Sequence, residues 1–188
     1  MNYPIWKRLF DFTLALLGIF ILFPLMIILY LASSVDVRHS GLFIQNRIGQ
    51  FGKTFVLYKF QSINPKSKHI SAYGKFIRKY KLDELPQLFN ILKGDMSFVG
   101  PRPDIAGYYD VLQGENREVL QLKPGLTSDA SIKYRNEDDL LSQQNNPDFY
   151  NDEVLFPDKV AMNMNYMKNM SFGNDIKIIV RTIISIFD

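Results

Sequence analysis

Residues 12–35 read FTLALLGIFILFPLMIILYLASSV and contain no charged side chain. A run of about 24 apolar residues exceeds the roughly 20 that a helix needs to cross the hydrocarbon core of a bilayer. Lys7 and Arg8 stand before it; Asp36, Arg38 and His39 follow. A cleaved signal peptide fits poorly, because the run is too long and no small-residue cleavage site follows it. Pro24 sits mid-run, where it removes a backbone hydrogen bond and kinks a helix. Two topologies meet this pattern. One is an ordinary transmembrane span, in which proline is tolerated. The other is a re-entrant segment that enters and leaves on one face. Basic residues at both ends give no inside–outside asymmetry, and periodicity by itself favours the span.

The remainder is long enough for one domain with its own core, in a chain of 188 residues. Net charge is +3, from 22 basic and 19 acidic residues, too balanced for a nucleic-acid binder. Cysteine is absent, which excludes a disulfide framework and a thiolate metal site. With His39 and His69 the only histidines, a zinc site would lean on carboxylates, which is unusual. The 14% aromatic content is high for a small soluble enzyme and fits lipid-facing or interfacial surface.

Beyond the apolar run, residues 42–48 and 53–63 read as two strands around Gly49-Gln50-Phe51-Gly52, a β-hairpin. Residues 64–69 read as loop. Residues 72–80 form a basic, helical stretch suited to anionic headgroups or a phosphorylated substrate. Helices are expected over 104–122, 137–141 and 157–170, a polar loop over 143–152, and a strand or loop over 127–135. Near the end, Ile176, Ile179, Val180, Ile183, Ile184 and Phe187 share one helical face, opposite Lys177 and Arg181. That face suits a core, a membrane interface or a homodimer contact. The class is α+β, mainly helical, with interfacial amphipathic helices.

The chemistry concentrates in residues 81–103, KLDELPQLFNILKGDMSFVGPRP. Asp83 is a good N-cap for a short helix whose apolar face is Leu85, Leu88, Phe89 and Leu92, with Pro86 in its first turn. A helix N-terminus favours an ionised Asp83 and an incoming phosphate. Adjacent carboxylates at Asp83 and Glu84 point different ways, so one can attack while the other holds a hard cation such as Mg²⁺. Phosphoryl transfer needs positioning and neutralisation of charge, for which Lys59, Arg78, Arg102 and Arg135 are the candidates. Asp-Glu is also an ordinary helix start, and Arg102 between prolines an ordinary surface turn.

The residues then carry a resemblance. The chain resembles the bacterial sugar transferases, monotopic phosphoglycosyl transferases that begin glycoconjugate assembly on a polyprenol phosphate. The likeness begins at Lys7-Arg8-Leu9-Phe10-Asp11, continues through the motif FIQNRIG at 43–49 and Tyr58-Lys59-Phe60, and is strongest over LDELPQLFN at 82–90 and KGDMSFVGPRP at 93–103. It reappears at Lys123-Pro124-Gly125-Leu126-Thr127 and covers nearly the whole chain. The central block is highly specific to that family.

This resemblance implies transfer of a sugar 1-phosphate from a UDP-sugar to undecaprenyl phosphate, with release of UMP. It implies Asp83 as nucleophile, a covalent phosphosugar–aspartyl intermediate, and Glu84 as a ligand of Mg²⁺. It implies a re-entrant helix broken at Pro24 rather than a span, on the cytoplasmic face of the inner membrane, in contact with lipid. The organisation expected is 1–40 as membrane segment and 41–188 as catalytic domain, a minimal form without a further membrane bundle. Departures from the family pattern are Phe23 where serine often precedes the proline, Gln61 in place of a basic residue, and Ser128 where glycine is common. Residues 128–136 are expected to help set the donor, with Arg135 on its phosphate. A rival of another class is a catalytically silent, membrane-anchored module that holds polyprenol phosphate or scaffolds an assembly complex; the intact Asp83-Glu84 pair argues against it.

Overall fold

A computed structural model describes residues 4–187. Helix α1 (Ile5–Val37) holds the entire apolar run as one element with Pro24 inside it. The expected break at Pro24 therefore does not divide the helix. Proline's missing N–H frees the carbonyl one turn earlier, at Phe20, and that residue is 81% exposed, so no packed element is disrupted there.

The hairpin forms as expected. Strands β1 (Leu42–Ile48) and β2 (Thr54–Phe60) pair antiparallel, in register from Leu42↔Phe60 to Ile48↔Thr54. The outer edge of β2 meets a side chain instead of a third strand. Buried Asn90 accepts from Tyr58 N (3.2 Å) and donates to the Val56 carbonyl (2.6 Å), as a neighbouring backbone would. Helix α2 (Ala72–Lys79) starts at Ser71, whose hydroxyl accepts from Gly74 N. Helix α3 (Gln87–Lys93) ends at Gly94, at a φ of 95° that favours glycine.

Strand β3 (Ser97–Val99) lies parallel to β4 (Gly125–Thr127). At this crossing a Cβ on Gly125 would stand 2.2 Å from Gly100 N, so only glycine lets the two backbones approach. The crossing sets where the loop carrying Arg102 leaves the core.

Three expectations change. The segment 104–122 is loop with 3₁₀ turns at Tyr109–Val111 and Gly114–Gln121, not an α-helix. Gly107 and Gly114 adopt positive φ, and Asp110 accepts from Gly107 N (2.7 Å), which holds the chain in a turn. Within 127–135, Ser128 caps the short helix α4 (Asp129–Lys133). After α5 (Glu137–Ser142), the supposed loop 143–152 contains α6 (Pro147–Tyr150), which runs through a π turn into α7 (Phe156–Lys168). Asn146 caps α6 at Phe149 N, a signal that its polar surroundings concealed.

Helix α8 (Phe172–Phe187) turns its predicted apolar stripe mostly outward. Val180, Ile183, Ile184 and Phe187 are exposed, while Ile178 enters the core. That core joins Ala15, Leu57, Leu88, Ile91, Val160 and Ile178, so α1 contributes to it. A second cluster of Met26, Leu29, Phe60 and Ile77 packs the later half of α1 against β2 and α2.

Charges at the start of α1 serve this packing. Lys7 pairs with Asp175 of α8, and both are buried. Arg8 donates to the Ile91 and Leu92 carbonyls (2.7 Å each) at the end of α3. Asp11 accepts from Phe98 N (3.0 Å) and Ser97 Oγ (3.1 Å) at β3. The far end of α1 is tied down too. Tyr73 donates to the Leu29 carbonyl (3.0 Å), and Asn64 Nδ2 donates to that of Val37 (3.1 Å).

Candidate active site

Asp83 and Glu84 do not begin an α-helix. Lys81 adopts a left-handed conformation (φ 56°) that ends α2, and a 3₁₀ turn at Leu82–Glu84 follows. The N-cap position of α3 belongs to Pro86 and makes no side-chain bond. A left-handed lysine costs about 1–2 kcal/mol relative to ordinary helical backbone, and strain of this kind persists where the surroundings hold it. Here it turns both carboxylates inward: Asp83 is 5% exposed and Glu84 7%.

Every site residue expected from the sequence lies on one cavity of about 760 Å³: Lys59, Arg78, Asp83, Glu84, Arg102 and Arg135. Pro24 lies elsewhere, in α1. Glu84 Oε1 accepts from Lys59 Nζ at 2.9 Å and pairs with Arg102 Nη1 at 3.5 Å. Burial works to raise the Glu84 pKa. The charges of Lys59, Arg102 and Lys81, with the Lys59 hydrogen bond, outweigh it and bring the pKa down to about 2.

Asp83 behaves oppositely, against the expectation that a helix terminus keeps it ionised. Burial raises its pKa, the neighbouring Glu84 charge raises it further, and Lys59, Lys81 and Arg78 offset this only in part. Its Oδ1 is buried with no hydrogen-bond partner. Two adjacent carboxyls thus differ in state: one is a fixed anion in an ion pair, the other a strained group with an unengaged oxygen.

The remaining cations are held more loosely. Arg78 reaches Asp138 at 3.3 Å, in a pair whose carboxylate is 88% exposed. Arg135 lines the cavity, but its guanidinium donates to the Ser185 carbonyl near the end of α8. Lys81, which the sequence marks only as one of several basic residues, bears on both carboxyls and lines the cavity. It sits in the 81–103 block, but nothing local marks a lysine as left-handed. Asn90 likewise stands out in the sequence only as part of the motif at 82–90. It ties α3 to β2 and so sets Lys59 beside Glu84.

Among the described residues no three His, Cys, Asp or Glu side chains converge, so a full protein cage for a cation is not formed. Mg²⁺ asks for less: one or two carboxylates completed by phosphate oxygens. Glu84, anionic throughout the neutral range and next to Asp83, fits that requirement.

The turn that carries Asp83 and Glu84, in a cavity ringed by cations, has the chemistry of a phosphate-binding site, in a fold that also carries a long apolar helix. The family model described as bacterial sugar transferase matches residues 2–188. The chain belongs to that family. It is similar to galactosyl transferase CpsE of Streptococcus agalactiae, at 34% identity over 97% of this chain and 42% of the relative. The undecaprenyl-phosphate galactose phosphotransferase of Salmonella typhimurium is 33% identical over 94% of this chain and 39% of its own length. The UDP-glucose:undecaprenyl-phosphate glucose-1-phosphate transferase of Xanthomonas campestris is 32% identical over 96% and 38%. The chain therefore spans about two-fifths of each of these relatives.

Proposed function

We propose that the protein transfers a sugar 1-phosphate from a UDP-sugar to undecaprenyl phosphate and releases UMP. The observation that carries this reading is Asp83: a buried carboxyl with an unengaged oxygen, on a cavity that also holds Lys59, Arg78, Lys81 and Arg102. Names of relatives that act on undecaprenyl phosphate support the acceptor, and the name of the Xanthomonas relative supports a UDP-linked donor.

In the first step an Asp83 carboxylate oxygen attacks the phosphorus that bears the sugar. The bond from that phosphorus to the bridging oxygen breaks, and UMP leaves with the electron pair. In the second, a phosphate oxygen of the acceptor attacks the same phosphorus and the aspartyl–phosphorus bond breaks. The product is a sugar diphosphate lipid, and Asp83 is regenerated. Lys59 holds Glu84 in place, while Arg102 and Arg78 face the phosphates. Mg²⁺ bound through Glu84 and donor phosphate oxygens would neutralise charge on the departing UMP. Residues 127–136 supply Thr127, Ala130, Ser131, Arg135 and Asn136 to the cavity wall, and we assign donor choice to this wall.

Membrane placement belongs to the same proposal. A straight helix of 33 residues would extend about 50 Å. Yet Lys7, Arg8 and Asp11 near one end, and Leu29 and Val37 near the other, bond to the same domain. Attachment at both ends supports a monotopic, re-entrant seat over a span with the domain on one side, and we assign it to the cytoplasmic face because the proposed donor is a soluble nucleotide sugar.

The test is UMP release from a panel of UDP-sugars, with and without undecaprenyl phosphate, in Mg²⁺ and in EDTA. Mg²⁺-dependent UMP from one donor is expected, with one equivalent per enzyme in the absence of lipid and continued turnover only in its presence; UDP as product would mean direct glycosyl transfer and overturn the mechanism. Arg102→Ala is expected to lower kcat/KM by about a hundredfold, as loss of one preorganised donor does. Melting should shift little, because half of that side chain is exposed. A large drop in melting temperature with normal activity in the folded fraction would make Arg102 structural.

A further inference from the structure

The cavity has two unlike walls. Lys59, Arg78, Lys81, Asp83, Glu84 and Arg102 make one polar. Ile179, Ile183 and Ile186 of α8, with Leu82, Leu85 and Leu126, make the other apolar. Phosphates and a hexose gain nothing from three isoleucines. An isoprenoid chain does, at about 25 cal/mol per Å² of apolar surface covered.

That apolar wall is continuous with the outside of the protein. Ile183 lines the cavity and is also 53% exposed, so it stands at the edge between the two. One turn further on, Phe187 is exposed and its ring lies 6.5 Å from that of Tyr80, the residue that follows α2 and also lines the cavity. Val180 and Ile184 extend the exposed apolar surface along α8. At its other end α8 meets α1 through Phe172, edge-on to Trp6 (6.2 Å) and Phe10 (5.3 Å). Thus α8 meets α1 at its start and the end of α2 at its last turn, and Tyr73 of α2 ties back to α1.

Resting on the transfer reaction proposed above, we infer that the acceptor enters along the last turn of α8, beside the Tyr80–Phe187 contact, where Ile183 joins the cavity to the outer face. The isoprenoid chain of the lipid phosphate lies against Ile183 and Ile186, and its phosphate reaches Arg78 and Asp83. The occupant is a prenyl lipid rather than a protein because the groove ends at cations suited to one phosphate, and its apolar side opens on the exposed face of α8. The Arg78–Asp138 pair is weak enough to yield to that phosphate, since Asp138 is almost wholly in solvent.

The experiment compares Ile186→Ser, which alters the inner wall, with Ile184→Ser, which alters only the outer face. Both are assayed as the full chain in detergent, with the short soluble acceptor citronellyl phosphate and with undecaprenyl phosphate. Ile186→Ser is expected to raise the KM of both acceptors about tenfold, equivalent to about 1.4 kcal/mol. The KM for the UDP-sugar and the burst of UMP formed without acceptor should be unchanged. Ile184→Ser should leave citronellyl phosphate kinetics as in the parent. An unchanged acceptor KM in Ile186→Ser, with its melting and UMP burst intact, overturns the inference. A raised donor KM in its place would assign the wall to the nucleotide and also overturn it. Absence of a UMP burst in the parent protein would instead remove the transfer reaction on which the inference rests.

Discussion

Asp83→Asn is expected to abolish transfer and, in the same protein, to raise the melting temperature. The first half follows from chemistry: an amide cannot attack phosphorus, so no phosphosugar adduct should appear in the intact mass. The second follows from the folded-state pKa. Burial and the Glu84 charge raise it above the ordinary aspartate value of 3.8. A carboxyl whose pKa is raised on folding binds its proton more tightly in the folded state. Its ionised form therefore costs stability once the pH climbs past 3.8 and through the folded value. Asparagine is neutral, has nearly the same shape and can donate toward Glu84. The gain expected is about 0.5–2 kcal/mol, within the range seen when function is traded for stability. For a chain of this size that is roughly 2–6 °C. The gap between parent and variant should shrink as the pH falls below 3.8, where both side chains are neutral. Glu84 works the other way: its pKa of about 2 gives stability that is complete above 4.5 and is lost as the pH falls toward 2. Retained adduct formation in Asp83→Asn would end the nucleophile assignment. A fall in melting temperature of several degrees would show that Asp83 supports the fold rather than straining it.

The largest loss of stability is expected far from the cavity, at Asp175→Ala. Asp175 is wholly buried, pairs with Lys7, and accepts from the Tyr166 hydroxyl at 2.5 Å. Truncating it leaves a buried ammonium ion without its counter-charge, which costs about 3–5 kcal/mol. In a domain of this size that lowers the melting temperature by roughly 10 °C. Exposed pairs such as Lys133–Asp158 should cost less than about 1 kcal/mol when broken. Replacing both partners, as Lys7→Met with Asp175→Leu, should recover most of the loss, because an apolar pair needs no compensation for burial. Melting of Asp175→Ala within a degree or two of the parent would mean that water reaches Lys7 and the pair is not sealed.

The same pair shows the limit of local reading. Lys7 and Arg8 look like the basic flank of a membrane segment, and Asp11 enters only as part of the motif at 7–11. In the folded protein Lys7 and Asp11 are buried and Arg8 caps α3. No window of sequence around residue 7 contains residue 175. Asn90 is a similar case, since its use depends on a strand edge more than thirty residues earlier in the chain.

Elements whose cause is local were legible: the apolar run of α1, the hairpin and its glycine turn, α2, α7, and the apolar stripe of α8. Their signals are hydrophobic period, turn residues and caps, all set within a few residues. The 81–103 block likewise marks Asp83, Glu84 and Arg102 as candidates, because its residue types and spacing lie within one short segment, and the fold brings all three to one cavity. What the chain's order left open was the state of those groups. Whether Asp83 is eased or strained depends on Lys81 turning left-handed, on burial, and on Glu84 taking Lys59 and Arg102 as partners. The outward turn of the α8 stripe was open for the same reason: an amphipathic helix has an apolar face whatever it meets, and only packing determines whether protein or lipid covers it. Charge state and exposure are sums over neighbours brought together in space, so they exist only once the chain has folded.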